Sequence, residues 1–506
     1  MSTLTTDATS TTVPVPPARL PGRRGWRTAG GGHASYVEAP PDYLATTVQA
    51  CGLWPHTRGI GTPMVGVPVG HHLRTGLTVC CDPLSWFKAG LIHNPGMAVL
   101  GLTARGKSTL VRTMALGLAG SGTRLLALGD LKPDYARLVT ALGGQVVDLG
   151  RGRGSLNMLD PGSLWEASQR VTGDRATSLR AEAVGRAADL TAALLEIYTR
   201  TRLPAAEETV LRAAIRLLLQ DRAPGAPAPV LEDLITLLVS APDPLRHLTL
   251  TAAKPTEAYL DEVTGLHRTL VGFQQSDFGA AFGRATTTTL DLDATAVCVD
   301  ISTMAAGRAD DRMLAGVLLS TWAAGFAAIE AAHTLAEAGL APARDYLVIM
   351  DEIWAVLRAS SGMVERVDAL TRTNRAEKVA NVLITHSFKD FDSLPLPEDR
   401  AKARGFVERC GLVACCEMAQ GDLDTLDQAL GLSRAEVAEV RSWSTGDAYD
   451  HRTGRAAPPS LGKFLLKSGG RPGIPVRVRV PSVAWDLNDT NSRWSQKVAG
   501  FPASDG

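Results

Sequence analysis

The chain has no surplus of either charge: 52 Lys and Arg residues are balanced by 52 Asp and Glu over 506 residues. That balance excludes bulk attraction to nucleic acid or to an anionic membrane and leaves only local patches. The seven cysteines include no CxxC pair and no metal-ligand spacing; Cys80–Cys81 and Cys415–Cys416 are merely adjacent. Reduced, mostly buried cytosolic thiols are the expectation. The N-terminus is rich in Thr and Pro rather than apolar residues, so no secretory signal is expected. Nor does an apolar run reach the roughly 20 residues that a membrane-spanning helix needs. The nearest, Met313–Ile329, includes Ser320, Thr321 and Trp322 and is followed by Glu330. It reads as a buried helix, which places the chain in the cytoplasm with any membrane attachment made through partners. What remains is an ordinary globular composition, 45% apolar and 21% charged, long enough for two or three domains.

One stretch organises the rest. Gly101-Leu102-Thr103-Ala104-Arg105-Gly106-Lys107-Ser108-Thr109 follows the apolar run Gly96–Leu100 and opens a helical pattern in Leu110, Val111, Met114, Leu116 and Leu118. Strand, Gly-bounded turn, Lys-Ser, then helix is the full context of a phosphate-binding P-loop. Backbone N–H groups there point at an anion that the helix dipole also favours. The expected nucleotide cradle is Gly101, Thr103, Ala104, Arg105, Gly106, Lys107, Ser108 and Thr109. Lys107 would reach the β- and γ-phosphates of ATP, and Ser108 would hold Mg²⁺ through its hydroxyl. Arg105 is the awkward residue, a bulky cation where small side chains are commoner.

Around this loop the chain divides by composition. Residues 1–35 read as a disordered tail carrying Arg19, Arg23, Arg24 and Arg27, and residues 36–95 as a small strand-rich lead-in. Residues 96–162 begin an α/β core: after the P-loop helix come strands at Arg124–Leu128 and Gln145–Leu149, separated by a short helix. Such alternation predicts a parallel, doubly wound sheet with ligands at the carboxyl ends of its strands. Asp130 and Asp134 fall at one such end, either facing the nucleotide or forming the turn. Residues 163–285 carry Ala, Leu and Arg at helical spacing and read as a helical insertion. The core resumes over 286–490, with strands expected at Thr287–Leu292 and Ala296–Ile301, and 491–506 is a tail.

The second half of the site comes late. Tyr346–Met350 is an apolar run suited to a strand buried on both faces, and it ends in Asp351-Glu352. Downstream of a P-loop this pair has a use: Asp351 in the Mg²⁺ shell opposite Ser108, Glu352 polarising the attacking water. Thr371–Lys378 reads as a helix whose Arg372, Arg375 and Lys378 share a face, as an arginine finger or a nucleic-acid contact would require. Strand Val379–Ile384 then delivers His386 to the same edge, where it could sense the γ-phosphate or serve as a structural histidine. No Leu-Ser-Gly-Gly-Gln signature lies between Ser108 and Asp351, which argues against an ABC-type ATPase.

The order of these motifs resembles one family, the conjugative type IV secretion ATPases of the TraC/VirB-four type within the HerA/FtsK superfamily. Asp130–Leu138 looks like the family's Asp-Pro-x-x-Glu-Tyr segment, and Leu142-Gly143-Gly144 with Leu156–Asp160 is similar to its Gly-Gly…Asn-Pro-x-Asp run. Asp351-Glu352, the basic helix with Arg372 and Arg375, Thr385-His386, and the tail from Leu430 to Val478 follow in order. Ala104-Arg105 stand where the family usually has Gly-Ser, Asp134 replaces a Glu, and His386 replaces a Gln. The resemblance implies a RecA-like P-loop NTPase core with a mostly parallel sheet. It also implies an ATP- and Mg²⁺-dependent motor, hexameric, on the cytoplasmic side of a conjugation channel. Lys107, Glu352, Arg372, Arg375 and His386 would be catalytic, with Asp130 beside the nucleotide. The partners implied are channel proteins, with DNA a further candidate. A DNA translocase or coupling protein and a non-catalytic nucleotide-gated scaffold are the alternatives.

Overall fold

Apolar runs too short for helices and bounded by Gly, Pro or Asp become strands buried on both faces. The computed structural model describes residues 62–488 except 150–153, 221, 224, 306–310, 360–362, 373–378, 388, 393, 395, 445–447, 451–454 and 458–459. The N-terminal tail, residues 36–61 of the lead-in, Arg375, Lys378 and the C-terminal tail thus lie outside the described residues.

In chain order the strands are β1 (Pro68–His72), β2 (Thr78–Cys80), β3 (Gly96–Leu100), β4 (Arg124–Asp130), β5 (Gln145–Asp148), β6 (Ala296–Asp300) and β7 (Tyr346–Met350). They continue with β8 (Val379–Thr385), β9 (Leu412–Cys415), β10 (Ala448–Asp450), β11 (Arg455–Ala457), β12 (Lys463–Lys467) and β13 (Ile474–Val478). Eleven of them form one sheet in the order β2-β1-β13-β12-β9-β3-β8-β7-β4-β6-β5, while β10 and β11 make a separate hairpin. From β9 to β5 every pairing is parallel; β12, β13, β1 and β2 extend the β9 edge antiparallel. The fold class is therefore α/β with a mostly parallel sheet.

Alternation along β3 separates the two faces. Met97 and Val99 pack with the Lys107–Gly120 helix and β1, whereas Ala98 and Leu100 pack with the long helices of the opposite face. Helices between Gly162 and Phe282 separate β5 from β6, and their Leu and Phe stripes form core: Leu194, Leu211, Ile215, Leu270 and Phe273 are all fully buried. Met313–Ile329 lies within the Asp311–Glu337 helix, which is long and apolar enough to cross a membrane but is mostly buried against the sheet. Trp322 on it donates from Nε1 to the Leu128 carbonyl at 2.7 Å. Gly325 permits this close approach, since a Cβ there would stand 2.4 Å from Leu128 Cδ1.

One expected strand is not a strand. Thr287–Leu292 carries no ladder. Its partners are the Ser155 carbonyl, which accepts from Thr287 N at 3.1 Å, and the Gln145 side chain, which bonds Thr289 O and Asp291 N. Bonds to side chains hold it beside the sheet edge without setting a register. Described cysteines are free thiols, all buried except the half-buried Cys410.

Candidate functional site

Gly101 leaves β3 at φ +136°, where a Cβ would stand 2.2 Å from Cys416 Sγ and 2.9 Å from the Glu417 carbonyl. Only glycine turns here. The crest Leu102-Thr103-Ala104 is exposed, with Ala104 left-handed at φ 59°, and Gly106 at φ +97° starts the Lys107–Gly120 helix. No side chain caps that helix, so its first N–H groups remain open to an anion. A glycine-bounded loop feeding an uncapped 14-residue helix fits a nucleotide phosphate.

Lys107 is buried inside this loop. Its Nζ donates to the carbonyls of Gly101 at 2.6 Å and Leu102 at 3.0 Å, and lies 3.0 Å from His386 Nδ1. Burial pulls its pKa below the usual lysine value, although the Asp351 and Glu352 charges oppose that shift.

The carboxylate pair stands across the sheet from it. β3, β8 and β7 are consecutive neighbours, so strand spacing of about 4.8 Å puts the end of β3 roughly 10 Å from the end of β7. A residue from the middle strand must fill that gap, and His386, just past β8, does. Its Nε2 is 3.3 Å from Glu352 Oε1. The tautomer follows from the partners: an ammonium has only donors, so Nδ1 accepts from Lys107 and Nε2–H donates to Glu352. Asp390 holds the His386 turn by accepting from Thr385 Oγ1 and Ser387 N, each at 3.1 Å.

Glu352 is backbone-strained, left-handed at φ 55°, and its side chain is buried. The Trp354 indole N–H donates to its other oxygen, and Lys132 Nζ lies 3.6 Å from Oε1. Burial alone would raise its pKa, but the hydrogen bonds from His386 and Trp354 and the Lys132 charge hold it below the ordinary glutamate value. Glu352 is therefore an acceptor at neutral pH. Asp351 goes the other way, pushed up to about 7 by burial and then by the Glu352 charge, against one hydrogen bond from Glu352 N at 2.9 Å. A half-buried carboxylate with that little compensation suits a divalent cation, and Ser108 supplies a hydroxyl at the first turn of the P-loop helix.

The other expected site residues have the following surroundings. Asp130 is buried at the end of β4, and both its oxygens accept backbone bonds, from Asp134 N at 3.0 Å, Tyr135 N at 2.7 Å and Ala136 N at 2.9 Å. Its carboxylate shapes the turn. Arg105 Nε pairs with Glu417 Oε2 at 2.7 Å rather than extending into solvent. Arg372 ends the Met363–Arg372 helix. Thr103 is exposed on the loop crest, and Thr109 lies in the first helical turn.

Sequence reading missed Trp354, Glu417 and Arg112. Trp354 had a local signal, two residues past a carboxylate. Glu417 had none. Arg112 is buried on the P-loop helix and binds Asp134 through Oδ1 at 3.1 Å and its carbonyl at 2.9 Å, and Asn488 Oδ1 at 2.9 Å. Asp134 therefore ties the loop after β4 to the P-loop helix.

No protein-family model matches the chain, and no curated protein is significantly similar to it. Among solved structures, VirB4 of Thermoanaerobacter pseudethanolicus is similar at 16% identity and a TM-score of 0.61, over 83% of this chain and 98% of that one. A plasmid coupling protein, TrwB in complex with ADP and Mg²⁺, aligns at 14% identity and a TM-score of 0.48, over 84% of this chain and 91% of that one. With its parallel sheet, glycine-bounded phosphate loop and carboxylate pair two strands away, the chain shares the P-loop NTPase fold of VirB4.

Proposed function

We propose that this chain is a Mg²⁺-dependent ATPase that energises a type IV secretion, or conjugative DNA transfer, apparatus. It would act as a homo-oligomer, a hexamer, at the cytoplasmic face of the membrane beside the channel proteins. One observation carries the reading: Lys107 and Glu352, far apart in sequence, meet on opposite nitrogens of one imidazole. The family resemblance in motif order and the VirB4 fold supply the biological setting.

ATP is the substrate. Its phosphates would lie on the open N–H groups of the Lys107–Gly120 helix, with the Lys107 ammonium exchanging its carbonyl partners for phosphate oxygens. Mg²⁺, held by Ser108 and Asp351, would neutralise charge on the β- and γ-phosphates. Glu352, already ionised, accepts a hydrogen bond from the attacking water and orients it. His386 fixes Glu352 from one side and Trp354 from the other. Arg372 or Arg375 would reach the γ-phosphate of a neighbouring subunit.

The test is Lys107→Ala. We expect loss of ATP turnover and of transfer, with an unchanged circular dichroism spectrum. Transfer at the normal frequency with this variant removes the motor role.

A further inference from the structure

Arg105 is the residue that least resembles a phosphate loop, and the structure gives it a partner. Its guanidinium lies 2.7 Å from Glu417, both side chains mostly buried at 22% and 12% exposure. The same Glu417 oxygen accepts from the Ser460 hydroxyl. Backbone bonds reinforce the contact: Leu102 N donates to the Glu417 carbonyl at 2.9 Å, and Gly462 N donates to the Arg105 carbonyl at 3.1 Å. Glu417 follows β9, and Ser460 to Gly462 precede β12, which pairs with β9.

We propose that Arg105 is a positioning residue: paired with Glu417, it braces the phosphate loop against the β9 end and the Ser460–Gly462 segment, in the shape that receives nucleotide. This rests on the reading of Gly101–Thr109 as the phosphate loop. The crest Leu102-Thr103-Ala104 is exposed, and Ala104 sits in a left-handed conformation that an unrestrained alanine seldom adopts. Ordering such a loop at the moment of binding costs affinity, and a loop ordered beforehand avoids that cost. Arg105 therefore affects how tightly nucleotide binds rather than how fast it is cleaved. A small residue would leave the Glu417 carboxylate without its cation and the loop with its backbone ties alone.

The experiment measures mant-ATP binding and steady-state ATPase kinetics, with Mg²⁺, on the full chain. Arg105→Ser and Glu417→Gln should each raise Kd and KM about tenfold (roughly 1.4 kcal/mol) and leave kcat within about threefold. Arg105→Lys should recover part of the affinity, since an ammonium keeps the charge but not the fork. The exchanged pair Arg105→Glu with Glu417→Arg should bind more tightly than Arg105→Glu alone. Unchanged Kd in Arg105→Ser overturns the brace, as does a fall in kcat at constant KM or no recovery in the exchanged pair. If the wild-type chain binds no nucleotide, the phosphate-loop reading falls and the brace with it.

Discussion

Replacing His386 with alanine removes a side chain that spans the gap between β3 and β7. Two hydrogen bonds go, at 3.0 Å to Lys107 and 3.3 Å to Glu352, and each has a charged partner. Bonds of that kind contribute about 1.5–3 kcal/mol each. Only the Glu352 bond bears on the carboxylate that we propose orients the water, and at 3.3 Å it belongs at the weaker end. Trp354 and Lys132 still restrain Glu352 in the variant. The expected loss is thus about 1.5–2.5 kcal/mol of transition-state stabilisation, a 10- to 70-fold fall in kcat. KM should change less, because Lys107 keeps its two carbonyl partners and remains in the loop. Glutamine separates the bridge from the imidazole. Its carbonyl can accept from Lys107 and its amide can donate to Glu352, the same polarity as the assigned tautomer. His386→Gln should therefore hold kcat within about fivefold of wild type while His386→Ala does not. The assay is phosphate release at saturating Mg-ATP across a range of protein concentrations, with thermal melts as a folding control. Equal kcat in the alanine variant and wild type, both folded, refutes the bridge.

Two further outcomes test the surrounding frame. Gly101→Ala forces a Cβ to 2.2 Å from Cys416 Sγ at a φ of +136°, so nucleotide affinity should fall at least tenfold while the far helices stay folded, read by mant-ATP titration and far-ultraviolet circular dichroism. Lys467 and Glu436 form a buried pair at 3.0 and 3.2 Å, so Lys467→Met should cost about 3 kcal/mol and lower the melting midpoint. Burial tends to raise the Glu436 carboxyl, but bonds from Ser433 N, Gly473 N and Lys467 hold it below its ordinary value of 4.5. The stability this gives is full above that value and lost as pH falls below it; an acid melt of Glu436→Gln that matches wild type would refute the assignment.

The strands were legible because each is an apolar run closed by a residue that cannot stay in the core. Tyr346–Met350 ends at Asp351, and Gly96–Leu100 at Gly101, and both are strands over those residues. The Arg124 run continues to Asp130 because its carboxylate is satisfied by three backbone N–H groups, a compensation that no local pattern displays. Thr287–Leu292 has the β-branched composition of a strand, but its neighbours offer a glutamine side chain and a loop carbonyl rather than a ladder. Pairing is decided by what lies alongside, which periodicity within one segment does not encode.

The same limit explains the site. A sequence shows that Lys107, Glu352 and His386 each follow a strand, and parallel strands bring their carboxyl ends to one edge. It does not show the order β3-β8-β7, and that order decides the chemistry. Were β7 beside β3, Lys107 and Glu352 would be one strand spacing apart and would close into a direct ion pair, competing with phosphate for the lysine. With β8 between them, an imidazole separates the charges while linking their positions. Lys107 stays one exchange of partners away from a phosphate, and Glu352 stays ionised and aimed. A donor–acceptor side chain on the middle strand is thus a requirement of the topology. That is why histidine can stand at position 386.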